Sequence, residues 1–114
     1  MKTVHFDVVC GASGDMILGA LLDAGAPIER LREDLAGLGI AGLRLEVEHE
    51  RRGGLDSAHV TPAWDEQSDY RNVHAILEVI GRGGFPERVN RRCSAVLTKL
   101  AQAEARAHGV EIDK

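Results

Sequence analysis

The spacing of apolar residues divides the chain into strand-like and helix-like stretches. Residues 4–10 form a nearly continuous apolar run. Alternation puts Val4, Phe6, Val8 and Cys10 on one face and His5, Asp7 and Val9 on the other, which reads as a first strand. Residues 16–24 have helical spacing. So do Ile28, Leu31, Leu35 and Leu38, after a break at Gly25-Ala26-Pro27. Leu43, Leu45 and Val47 then alternate with Arg44, Glu46 and Glu48, as in a half-exposed strand. A second short strand over 55–61 follows Arg51-Arg52-Gly53-Gly54, so the Gly-Gly pair reads as a hairpin turn. Residues 62–68 are polar and carry the only tryptophan, Trp64, as expected of an exposed loop. Asp69 is placed to cap a helix bearing Val73, Ile76, Leu77 and Ile80. Pro86 starts a last, long helix with Val89, Cys93, Val96, Leu97, Leu100, Ala103 and Ala107 on one stripe, and Gly109 ends it.

The element order is β-α-α-β-β-α-α, which predicts an α+β fold: a small, mostly antiparallel or mixed sheet covered by helices. Residues 110–114 read as the start of another element. Aromatic residues make up 4% of the chain, so its core is expected to consist of Leu, Val, Ile and Ala. The apolar stripes account for that core without leaving an obvious spare surface.

Charge and length narrow the function classes. A net charge of −4 argues against broad binding to nucleic acid, which wants a basic patch. No apolar run approaches the ~20 residues that span a bilayer. Asp7 stands where an export signal needs apolar residues, so a cytoplasmic location is expected. In that compartment Cys10 and Cys93 are expected to be reduced and buried.

Candidate chemistry concentrates at Cys10-Gly11-Ala12-Ser13-Gly14-Asp15-Met16, between the first strand and the first helix. A strand-to-helix turn aims unpaired N–H groups and the positive end of the helix dipole at one point, which suits an anion. Gly11 and Gly14 let a ligand approach the main chain, and Ser13 is placed to cap the helix. Such a cap is also an ordinary way for a helix to begin. Asp7 and His5 share a face just before the turn, and a carboxylate inside a strand needs a cation, a donor or a metal. Arg51 and Arg52 suit bidentate contact with a phosphate, or a solvated turn. Glu104 and His108 stand four apart on one helix face, as a metal pair or a surface contact. His49 and His59 lie on the two hairpin arms, where their opposition depends on register.

Together these residues resemble a family. The first element is Phe6-Asp7-x-x-x-Gly11-x-Ser13-Gly14-Asp15-Met16-x-Leu18-Gly19-Ala20-Leu21-Leu22-Asp23. Arg51-Arg52-Gly53, Tyr70-Arg71 ahead of Ile76-Leu77, and Ala103-Glu104-Ala105-x-x-His108-Gly109 follow in order. The pattern resembles the N-terminal portion of the LarC nickel-insertion proteins, which help make the nickel pincer cofactor of lactate racemase. The resemblance implies that residues 1–114 are a single N-terminal domain of a longer protein, as a fragment or split product. It implies CTP-dependent insertion of Ni²⁺ into a bis-thiocarboxylated pyridinium mononucleotide, a lyase-class cyclometallation that this portion alone would not complete.

On that reading Asp7 and Asp15 are catalytic candidates. Gly11, Ser13, Gly14, Arg51 and Arg52 would hold substrate phosphate. His5, Asp7, Glu104 and His108 would offer metal ligands. CTP, with Mg²⁺ or Mn²⁺, would bind a region not present here. The partners would be the mononucleotide and the C-terminal part of the same protein, and a homo-oligomer stays open. Two departures stand out. Residues 64–69 contain no histidine where the family often has a His-rich stretch, and the family's His-Phe-His-Glu-like continuation is absent. The alternative is a non-catalytic module that binds a metal or a phosphate-bearing ligand beside a separate subunit. A plain interaction domain, whose turn is only a helix cap, is the third reading.

Overall fold

The computed structural model describes residues 1–65 and 72–112. Its elements run α1 (Gly14–Asp23), α2 (Ile28–Ala36), β1 (Arg44–Arg52), β2 (Leu55–Ala63), α3 (Val73–Arg82) and α4 (Glu87–His108). The α+β class is as expected, with β1 and β2 paired as a two-stranded sheet. Contacts group the chain into two compact units. One comprises Met1–Ile28 and Leu45–Ala63, the other Glu29–Arg44 and Trp64–Lys114.

In the first unit the hairpin forms as the Gly53-Gly54 pair predicts. Both glycines have positive φ, 58° and 85°, which a tight two-residue hairpin turn demands. This turn sets Glu50 opposite Ser57, and the Ser57 hydroxyl donates to the Glu50 carbonyl at 3.5 Å. Leu45 and Val60 are buried and Val47 is half-buried, so the predicted apolar face is the inner one.

Helix α1 packs against β2. Ala58 turns both of its main-chain groups towards the helix. Its N–H donates to Asp23 Oδ2 at 2.7 Å, and its carbonyl oxygen sits where a Cβ on Gly19 would be. The helix thus covers an edge that would otherwise be unpaired, and only a glycine at 19 allows the approach.

The predicted first strand does not form: residues 4–10 join no ladder, and the observed order is α-α-β-β-α-α. A strand exists only by pairing its N–H and C=O groups with a neighbour. Among the described residues the main chain of 1–12 makes no such bond. Cys10 is exposed, against expectation, while Cys93 is half-buried, and both are free thiols.

In the second unit α3 packs on α4, with Val79 buried. Asn72 caps α3, its side chain accepting from the Ala75 N–H at 2.8 Å. The expected cap, Asp69, lies outside the described residues, as do Tyr70 and Arg71. The loop expected over 62–68 begins later, because β2 runs through Ala63; Trp64 is exposed. Helix α4 starts after Pro86 and ends at Gly109 in the left-handed conformation, as the sequence predicts. Large apolar side chains stay exposed in both units, Phe6, Val9 and Leu55 in one and Val96 and Leu100 in the other. The expectation of no spare surface is therefore wrong: stripes at the right spacing do not guarantee a partner for each stripe.

Candidate crevice on the first helix and the hairpin

The first turn of α1 is built differently from a simple cap. Ser13 occupies the N-cap position with extended backbone, but its side chain caps nothing. Its hydroxyl donates instead to the Asp15 carboxylate. This bond, foremost, holds the Asp15 pKa below its ordinary 3.8. Main-chain N–H groups of Met16 and Asp15 itself act in the same direction, as does the nearby His59. Asp15 is therefore a lasting negative charge at the helix start, and its own carboxylate already draws on the N–H groups there. A phosphate approaching this turn meets that charge and needs a cation beside it.

The cation lies on the hairpin. A crevice of about 400 Å³ is lined by Asp15, Met16 and Asp23 of α1 and by Glu50, Arg52, Ser57 and His59 of the two strands. Such a volume suits a small ligand. Arg52 is held towards Glu50, with Nε 2.8 Å from Oε2. Arg51, one residue away on a strand, faces the other side. The same alternation separates His49 from His59. With Glu50 opposite Ser57, His49 is level with Ala58, so the two histidines do not oppose each other.

Of the residues singled out from sequence, the crevice gathers Asp15 and Arg52, with Ser13 bonded to the former. His5, Asp7 and Gly11 lie in the extended segment before the turn, and Gly14 opens the helix. Glu104 and His108 belong to the second unit, where His108 Nε2 is 3.2 Å from Glu104 Oε2 on the exposed face of α4. Among the described residues no group of three or more His, Cys, Asp or Glu is arranged to hold a metal ion.

Sequence reasoning missed Asp23, Glu50, Ser57 and His59 as crevice residues. The available signal was the hairpin register, which puts Glu50 and Arg52 on one face of the ladder with Ser57 and His59. Three carboxylates, one guanidinium and one imidazole make a crevice of mixed charge. It suits a ligand that carries both a cation and an anion.

Comparison with known proteins gives a consistent picture. The chain matches the family model described as nickel insertion protein over residues 4–114. It is 41% identical over 110 residues to a protein of Syntrophobacter fumaroxidans assigned to nickel insertion by name, covering 96% of this chain and 28% of that one. A similarly named protein of Dictyoglomus thermophilum is 30% identical over 114 residues, covering 100% and 30% respectively. The pyridinium-3,5-bisthiocarboxylic acid mononucleotide nickel insertion protein of Desulfitobacterium hafniense is 34% identical over 114 residues, covering 100% and 28%. The chain thus spans less than a third of the length of the curated relatives it matches. No solved structure matches it.

Proposed function

The chain belongs to the nickel insertion protein family, and from that premise we propose that it is the N-terminal, substrate-holding module of a nickel insertase. The substrate is a pyridinium-3,5-bisthiocarboxylic acid mononucleotide of the kind named in the Desulfitobacterium hafniense relative. The observation that carries this reading is the mixed charge of the crevice. Arg52 supplies the cation for the phosphate, with Gly11, Ser13 and Gly14 in the turn that leads into α1; Arg51, on the opposite face of β1, takes no part. The carboxylates of Asp15, Asp23 and Glu50 face the cationic ring or the metal.

Nickel is cargo in this scheme. With no group of three donors among the described residues, the metal is held jointly, by one or two side chains and by the sulfur of the thiocarboxylates. His5, Asp7 and Asp15 are the imidazole and carboxylate donors around the turn in sequence. Glu104 and His108 offer a separate two-donor station on α4. Formation of a nickel–carbon bond releases a ring proton. Asp7 and Asp15, the carboxylates that flank the turn in sequence, are its candidate acceptors. CTP and its Mg²⁺ or Mn²⁺ bind elsewhere in the family-length protein.

Calorimetry on the 114-residue chain with Ni²⁺, with the mononucleotide, and with both tests the reading. Nickel alone should bind weakly, and the mononucleotide should tighten it by roughly 10-fold or more, as one extra coordinating group would. Arg52→Ala should weaken the mononucleotide, and Asp15→Asn the jointly held metal. Binding of the mononucleotide with no gain for nickel would leave a non-catalytic module acting with a separate subunit. Binding of neither ligand by the folded chain would overturn both readings.

A further inference from the structure

The extended segment that leads into α1 is the least satisfied part of the first unit. Val4, Phe6, Val8 and Val9 are 53%, 43%, 49% and 90% exposed, although β-branched and aromatic residues are strand formers. The main chain of 1–12 makes no backbone hydrogen bond among the described residues. Val4, Phe6, Val8 and Cys10 share one face of the run, the alternation of a strand with an apolar side to cover. The relatives are meanwhile more than three times as long as the matched region, since this chain covers 28–30% of each.

We propose that residues 4–10 are a β-strand whose ladder is completed by an extended segment from the remainder of the family-length protein. The occupant has apolar residues facing Val4, Phe6 and Val8. On the other face it carries a cation or hydrogen-bond donor opposite Asp7, whose carboxylate lies between His5 and Val9. A second copy of the chain is the weaker occupant. Seven residues on each side fall short of the ~1,000 Å² that a stable free association needs. A tethered strand instead works at an effective concentration on the order of millimolar, where a short ladder suffices. Pairing would also brace the turn at Gly11 to Asp15, because the strand runs directly into it. The proposal rests on family membership and not on nickel chemistry.

Hydrogen exchange read by mass spectrometry tests it without metal or mononucleotide, so its failure leaves the nickel reading standing. The first sample is the 114-residue chain. The second is a fusion in which these residues replace the matched region of the Desulfitobacterium hafniense protein. Amides 4–10 should exchange at nearly the free rate in the first and on the order of 100-fold more slowly in the second. Phe6→Asp in the fusion should restore fast exchange there while α1 and β2 stay protected. Fast exchange of 4–10 in a folded fusion overturns the proposal. So does protection in the 114-residue chain alone at the mass of a dimer, which assigns the strand to a second copy. If the fusion does not fold, the unaltered Desulfitobacterium hafniense protein decides. Slow exchange in its matched segment supports the strand, and fast exchange overturns it.

Discussion

The Asp23 carboxylate accepts a hydrogen bond from the Ala58 amide at 2.7 Å, across 35 positions of sequence. One turn earlier on the same helix, Gly19 lies against the Ala58 carbonyl. A single residue of β2 is thus gripped at both polar groups by α1, and this grip holds one wall of the crevice against the other.

Gly19→Ala should therefore loosen the first unit. The added Cβ meets main chain, which cannot swing aside as a side chain would, so a cost of about 1–3 kcal/mol is expected. Gly14→Ala has open space around its Cβ and should leave stability unchanged or slightly raised. Urea unfolding of the two variants, followed by far-UV circular dichroism, checks the contrast.

Ser13→Ala should raise the Asp15 pKa towards its ordinary 3.8, because the hydroxyl bond is the main cause of the depression. The sign of the pH dependence follows. A carboxylate with a lowered folded-state pKa contributes stability that is present above its unfolded value and lost as pH falls through the folded one. The wild-type chain should keep this contribution to lower pH than the variant does. Carboxyl ¹³C titration by NMR reads the shift directly, and an unchanged Asp15 pKa in Ser13→Ala would refute the assignment.

Asn72→Ala should cost about 1 kcal/mol by removing the side-chain cap of α3. Thermal unfolding followed by far-UV circular dichroism reads the loss, and an unchanged midpoint would count against the cap.

Glu104→Gln tests the proposed two-donor station on α4. It should weaken Ni²⁺ binding to the chain alone by several-fold and leave mononucleotide affinity unchanged, since the lining of the crevice comes from α1 and the hairpin. Calorimetry with each ligand in turn gives both numbers. A matching loss of mononucleotide affinity would tie α4 to substrate.

Local pattern carried much of the candidate site. The Asp15 position at the head of α1 was legible because helix starts have a chemical signature, and Arg52 because a Gly-Gly turn follows it. The cap of α3 was misplaced since Asp69 and Asn72 are equally good capping types, and only main-chain geometry chooses between them. His59 was considered only as a partner of His49 across the hairpin, because its place beside Asp15 depends on α1 packing against β2, which local pattern does not reveal.

By itself the sequence determined the elements whose bonds close over short spans: among the described residues, four helices with their Gly and Pro boundaries and one hairpin with its turn. These need only periodicity and local backbone preference. Tertiary structure alone decided that α1 lies along β2, that Asp15 shares a crevice with Arg52 and His59, and that residues 4–10 remain without a ladder. Each of these depends on a partner far along the chain, or outside it. Apolar alternation states that a strand can pair, but not with what.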